Sequence, residues 1–218
     1  MRENPMKHRL LVPEILDGLP PEDPEARRSR RDLRRINFLM GNERWIARQA
    51  RRFPEAAAKG ISELGAGEGD LCRLLARTFP DVLVTGYDLL PRPEELNERI
   101  HWRQGDVLSG SVEPGGILVV NLFLHHFEGG ALKRLMRICH HFDVLLFNEP
   151  ERARLPHLLG KLMHPWINRV TRHDLHASLQ AGFRRGEIPA LAGRGWRFQE
   201  TTTWRGAIRV VASRDHPS

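Results

Sequence analysis

Apolar and polar positions along this chain keep switching between two periods. Apolar runs of strand length fall at 61–64, 82–87, 100–103, 116–124, 142–147, 195–203 and 207–213. Between most of them apolar residues recur three and four apart, the helical period. Such a pattern runs from 69 to 78 and stops ahead of Pro80, and another runs from Leu132 to His141. A third, unusually apolar, joins Leu155, Leu158, Leu159, Leu162, Met163, Trp166 and Ile167 and predicts one helix. The run at 116–124 is apolar on both faces, as a central parallel strand must be. Strands alternating with helices predict an α/β fold. The link from 108 to 115 is too brief for a crossover helix and predicts a loop or a single turn.

Ahead of the first strand the pattern changes. Residues 1–22 carry Pro5, Pro13, Pro20 and Pro21 around short apolar pieces at Leu10-Leu11-Val12 and Ile15-Leu16. They predict a loosely ordered arm with at most one helical turn. From Pro24, residues Leu33, Ile36, Asn37 and Met40 share one helical face opposite the arginines. Gly41-Asn42 breaks this helix, and Trp45, Ile46, Ala50 and Phe53 continue as a second one until Pro54. The expected division is an arm with helices over 1–54 and an α/β domain over 55–218, with a helical insertion at about 151–185.

At 218 residues, 40% hydrophobic and 28% charged, the chain has the make-up of one soluble domain. No apolar run approaches the roughly 20 residues of a membrane span. The N-terminus lacks the apolar core of a signal peptide. Cys72 and Cys139 lie in helical patterns and suit small packing residues in a reducing compartment, so a cytoplasmic location is expected. The net charge of +7 raises the question of nucleic acid. Arg27, Arg28, Arg30, Arg31, Arg34, Arg35, Arg48, Arg51 and Arg52 could form a phosphate-binding stripe or a solvated face. Aromatic residues for base stacking are sparse there, and the solvated face is the better reading.

Candidate chemistry centres on the end of the first strand, where Glu63-Leu64 runs into Gly65-Ala66-Gly67-Glu68-Gly69-Asp70. Missing side chains at alternate positions let backbone approach a ligand at a helix start. A dinucleotide fingerprint would need glycine where Asp70 stands. Glu63, Glu68 and Asp70 would also repel a pyrophosphate. A ligand with a cationic centre and neutral sugar hydroxyls suits these carboxylates better, and S-adenosylmethionine is such a ligand. The stretch resembles the first motif of the class I S-adenosylmethionine-dependent methyltransferases; a glycine-rich turn with no ligand is the plain alternative. Asp88 stands about 20 residues beyond, closing the next strand, where a carboxylate can accept both ribose hydroxyls. A surface Asp capping the following segment is its alternative.

The resemblance implies a Rossmann-like seven-stranded, mostly parallel sheet with an antiparallel terminal pair, helices on both faces and an N-terminal helical lid. It implies cofactor contacts from Glu63, Gly65, Ala66, Gly67, Gly69, Asp88, Leu89 and Asn121. Asp106 and Val107 match the place where the family holds adenine, although Gly-Asp is also an ordinary turn. The run into His125-His126-Phe127 is similar to the fourth motif of small-molecule methyltransferases, in a branch acting on polyketide- or quinone-type acceptors. It departs from the Asn-Pro-Pro-aromatic pattern of base-amino methylation, because Leu122-Phe123 replaces the prolines. A Pro-Cys pair for attack on a pyrimidine is lacking too. Both departures weigh against nucleic acid as substrate. Thr171-Arg172-His173-Asp174, with Ser178, Phe183 and Glu187, resembles a segment of bacterial small-molecule methyltransferases that helps close the acceptor site; Asp174 as a helix N-cap is the alternative.

The sulfonium already activates the methyl group, so the protein must align the acceptor and, where needed, remove its proton. His125, His126 and His173 are the candidate bases. The neighbours His125 and His126 should point differently, so one of them at most faces the methyl group. No metal is expected. The apolar helix at 155–167 could be core, a homodimer face or the wall of a greasy pocket, and the pocket wall is the reading taken. The expected function is methyl transfer to a small aromatic or lipid-like acceptor, at oxygen. An RNA methyltransferase and a non-catalytic S-adenosylmethionine-binding protein stay open as alternatives.

Overall fold

The structure, a computed structural model, describes residues 8–20 and 22–214. The expectations for Pro5 and Pro21 lie outside these residues. Seven strands form one sheet: β1 (Ile61–Leu64), β2 (Val84–Asp88), β3 (Ile100–Gln104), β4 (Gly115–Asn121), β5 (Phe142–Pro150), β6 (Trp196–Thr202) and β7 (Ala207–Arg214). Their order is β3-β2-β1-β4-β5-β7-β6. The first five are parallel, β7 is antiparallel to β5, and β6 pairs antiparallel at the edge. The order reverses between β1 and β4, and a parallel sheet opens a crevice at the carboxyl ends of the strands at such a point.

Alternation along β4 explains its apolar run. Ile117 and Val119 face Ile61, Leu146, α4 (Asp70–Thr78) and α2 (Asn42–Ala50). Leu118 and Val120 face the other way, toward Leu145, Phe147, α5 (Gly129–Cys139) and α8 (Glu187–Ala192). Each fully buried Leu or Ile here contributes about 1.5–3 kcal/mol, so both faces of the sheet are held by helices. A short helix, α3 (Pro54–Ala58), lies so close to β4 that a Cβ on Gly116 would collide with the backbone of Ala56. Among the described residues no helix is long and apolar enough to cross a membrane.

The structure departs from the expected elements in four places. β4 ends at Asn121, short of the expected 124; Leu122 adopts φ 54 and Leu124–His126 form a 3-10 turn. The apolar run at 155–167 is two elements, α6 (Arg154–Leu162) and a 3-10 turn at His164–Trp166, because Pro165 cannot donate to a continuing helix. Asp174 is not an N-cap. It lies inside α7 (Arg169–Ala181), whose cap is Asn168, accepting from the Thr171 N–H at 2.9 Å. Finally, the described residues of the arm are not loose. Its one turn, Leu16–Gly18, is anchored where Asp174 accepts the Ile15 and Leu16 N–H groups at 2.7 and 3.0 Å. Leu10 N–H donates to Gln180, and Arg9 to the carbonyls of Ala181 and His125. The first helix, α1 (Pro24–Met40), is fixed to α7 through buried Ser29 and Asp32, which meet Thr171 and the Asn168 N–H.

Candidate functional site

At the β1 end, Gly65, Gly67 and Gly69 all have left-handed φ, 69, 55 and 74°, a conformation that favours glycine. Four amides of this turn are used within the chain. Gly65 and Ala66 donate to the Tyr87 carbonyl, Gly69 to Ala66, and Gly67 to Asp88 at 2.7 Å. The turn therefore presents bare backbone and is not a cradle of free N–H groups for a phosphate. Asp88 also accepts the Leu90 N–H at 2.8 Å. Each carboxylate oxygen carries two lone pairs, so Asp88 keeps capacity for further donors. The ring of Phe123 covers Gly65, where an added Cβ would collide with it.

Glu63 is buried beneath the turn, and Cys72 Sγ donates to it at 3.0 Å. Burial pushes its carboxyl up to about 8, helped by Glu43, Asp88 and Asp70 and opposed by the Cys72 contact. At neutral pH it is a protonated acid that a nearby cation would ionise. Glu68, at the surface of the turn, is held by Arg30 and Arg34 reaching down from α1.

A cleft of about 710 Å³ opens beside this turn. α1 covers it with Leu33, Ile36, Asn37 and Met40, and Arg30 and Arg34 line it as well, so these two arginines do not lie opposite the apolar face. Leu159, Met163 and Trp166 form the far wall and Leu122 lies at the β4 end. A cleft whose exposed lining is mostly apolar fits a small organic ligand.

One group of polar side chains meets at the 3-10 turn. Glu149, fully buried on β5, accepts the N–H groups of Phe123, Leu124 and His125 at 2.9, 2.8 and 3.3 Å. This capture explains why β4 breaks at Leu122. The same carboxylate meets His125 Nδ1 at 2.7 Å. His125 Nε2 is buried and has no hydrogen-bond partner; Glu14 of the arm stands 3.8 Å from it, an ion-pair distance. Burial disfavours the imidazolium, yet Glu14 and Glu149 prevail and push His125 up to about 9. His126 is exposed at the cleft, its ring centroid 4.2 Å from that of His125. Glu14, His125 and His126 each bring one donor atom within 4.8 Å of the others, the one such grouping among the described residues that could hold a metal.

Of the residues expected at the site, Glu63, Gly65, Ala66, Gly67, Asn121, His125 and His126 line this cleft. Gly69 caps α4 beside it. Asp88 bridges to the turn, while Leu89 is exposed at 71%. Asp106 and Val107 line a separate, shallow pocket of about 180 Å³. His173 is turned to solvent and to Asp174, at 3.0 Å, and does not line the cleft. Sequence reasoning missed Glu14 and the part played by Glu149. Glu149 carried a faint signal, a polar Asn148-Glu149 closing an apolar strand; Glu14, on the arm, carried none.

No protein-family profile matches the chain, and no curated protein matches it in sequence. Solved structures do match in shape. The plantazolicin methyltransferase BpumL, in complex with S-adenosylhomocysteine, superposes with a TM-score of 0.69 at 10% identity, over 89% of this chain and 92% of that one. Human N-acetylserotonin methyltransferase, in complex with S-adenosylmethionine, gives 0.61 at 19% identity, over 91% and 61%. The pyocyanin biosynthetic protein PhzM gives 0.59 at 18% identity, over 88% and 59%. The chain therefore has the Rossmann-like fold of the class I S-adenosylmethionine-dependent methyltransferases.

Proposed function

We propose that the chain is an S-adenosylmethionine-dependent methyltransferase that methylates a small, aromatic or lipid-like acceptor at oxygen. The bare backbone at Gly65 and Gly67, the buried Glu63 and the spare capacity of Asp88 fit a nucleoside carrying a cationic amino acid tail. When bound, that cofactor supplies a methyl group already activated on sulfonium. Gly65–Gly67 and Asp88 would hold the sugar, with Leu89, Asp106 and Val107 toward the base; Glu63 and Asn121 would face the tail. Binding there needs the Phe123 ring to move or to stack.

The observation that carries the reading is the buried, unpartnered Nε2 of His125, a residue that lines an apolar cleft next to the glycine turn. Once the ring is neutral, Glu149 fixes the tautomer with hydrogen on Nδ1 and leaves Nε2 to accept a proton. An acceptor hydroxyl in the cleft would give its proton to Nε2, and its oxygen would take the methyl group from the sulfonium, which would depart as the neutral thioether. The imidazolium so formed lies between two carboxylates, which stabilises it as charge develops. His126 would position the acceptor. No metal takes part in this reading, so chelation with EDTA leaves the rate unchanged.

The test is incubation with S-adenosylmethionine and a panel of phenols of increasing apolar length, followed by mass spectrometry. Methyl ethers, formed faster with the more apolar phenols, are the expected products. Absence of transfer to every phenol, with S-adenosylhomocysteine still binding, would reject catalysis and favour a binding protein.

A further inference from the structure

α6 sets a polar edge of Arg154, His157 and Lys161 beside a broad apolar surface. Pro156, Leu159, Gly160 and Leu162 line the cleft, whereas Leu155 and Leu158 point outward, and Leu155, Leu158 and Leu162 are exposed at 51, 57 and 61%. Three leucines so exposed on one short helix form the kind of apolar patch that marks an interaction surface. The patch continues around the mouth of the cleft. Leu39, Trp166 and Trp204 line the cleft and are yet exposed at 61, 74 and 68%. They form one surface: Arg205 donates to the Leu39 carbonyl and lies 4.8 Å over the Trp204 ring, and the neighbouring Gly206 abuts Pro156 of α6.

Charge identifies what covers this face. From Arg152 to His173 the sequence has no carboxylate, and Arg154 and Lys161 are exposed beside the leucines, whereas Arg169, also exposed, is paired with Glu25 at 2.8 Å. Cations flanking exposed Leu and Trp suit an interface where acyl chains meet anionic headgroups. A second copy of the chain is a poor partner, because a two-fold contact would set these cations against one another.

We propose that this face docks onto a bilayer carrying anionic lipid, with the mouth of the cleft opening toward the acyl chains. Docking stands on its own; the corollary, that the acceptor enters from the bilayer, rests on the methyl-transfer reading.

The test floats the full chain with vesicles of phosphatidylglycerol and phosphatidylcholine, and with phosphatidylcholine alone. Leu155→Ser/Leu158→Ser removes two exposed side chains that do not line the cleft. The wild type is expected to float with the anionic vesicles at low salt. The variant's bound fraction should fall about tenfold, while S-adenosylhomocysteine raises the thermal midpoint of both proteins equally. Failure of the wild type to float overturns the proposal. So does equal flotation of wild type and variant, which would reduce binding to the arginines alone. A wild-type dimer in light scattering that the variant loses would assign the face to a second copy instead. Flotation without methyl transfer would sink the catalytic reading and leave docking intact; transfer without flotation would do the reverse.

Discussion

His125 Nδ1 lies 2.7 Å from Glu149 Oε2, with both side chains sealed from solvent, so the other ring nitrogen is the one left without a hydrogen bond, in a residue that lines the cleft. The carboxylate that orients the ring also accepts three backbone N–H groups from the turn that carries it. Ring position and turn geometry are therefore one property. If Nε2 is the base, His125→Asn should lower methyl transfer about 10²–10⁴-fold and leave the thermal shift with S-adenosylhomocysteine unchanged. His126→Asn should stay within about threefold of wild type in kcat. Steady-state kinetics on both variants makes the comparison, and equal losses would remove the assignment.

The pH dependence has a definite sign. His125 is raised from 6.5 to about 9, so the free protein carries imidazolium at neutral pH. A base must first lose that proton, and kcat/KM should rise with pH until about 9. Glu14→Gln, which removes one of the two anions, should move the rise to lower pH. Stability runs the other way. A group with a raised folded pKa contributes fully below its unfolded value and loses that contribution as pH climbs through the folded one. For His125 the window is 6.5 to about 9, and for Glu63 it is 4.5 to about 8. The thermal midpoint without ligand should fall from about pH 5 to about pH 9, as measured by calorimetry.

The strand pattern was legible because period and burial coincide. Every strand of the sheet lies on an apolar run, and the glycine turn announces itself through residues that only a left-handed backbone requires. What escaped depends on contacts distant in sequence. Glu14 meets His125 only because Asp174 anchors the arm, and a single sequence carries no trace of that pairing. Thr171 and Asp174 looked like parts of an acceptor site, and they are anchors for α1 and the arm. The expected helix at 155–167 overran Pro165 because apolar periodicity continues through it while hydrogen bonding does not.

Glu63 links cofactor binding to proton release. It is protonated in the free chain up to about pH 8, and a cationic tail beside it favours the carboxylate. Affinity for S-adenosylhomocysteine should therefore rise about tenfold per pH unit below pH 8 and level off above it. Titration calorimetry in buffers of different ionisation enthalpy would count the released proton. An affinity flat from pH 6 to 8 would show that Glu63 does not face the tail.

Two substitutions separate the turn from the ribose contact. Gly65→Ala puts a Cβ on a residue at φ 69 and into the Phe123 ring. It should abolish thermal stabilisation by S-adenosylhomocysteine and lower stability by about 1–3 kcal/mol. Asp88→Asn keeps an acceptor for one of the two backbone N–H groups that Asp88 now holds. Its own stability should change by about 1 kcal/mol, while the ligand-induced shift should drop most of the way to zero. Equal shifts in wild type and Asp88→Asn would rule out Asp88 as the ribose contact.

The arm is expected to be part of the active site, and Asp174 tests this from a distance. Its carboxylate is 1% exposed and accepts the Ile15 and Leu16 N–H groups, fixing the backbone just after Glu14. Glu14 in turn accepts from Ser178 on the same helix at 2.5 Å. Asp174→Ala strands two backbone donors, which water can reach once the arm lifts, so the cost should be held to about 2–3 kcal/mol. The informative readout is catalytic. With Glu14 withdrawn, only Glu149 still favours the imidazolium, so the pH–rate profile of Asp174→Ala should move down as that of Glu14→Gln does. A merely structural anchor would lower stability and leave the profile where it was. The double variant Glu14→Gln/Asp174→Ala then decides the matter: if Asp174 acts through Glu14, its profile matches that of Glu14→Gln alone, and additive displacement would mean that Asp174 reaches His125 by another route.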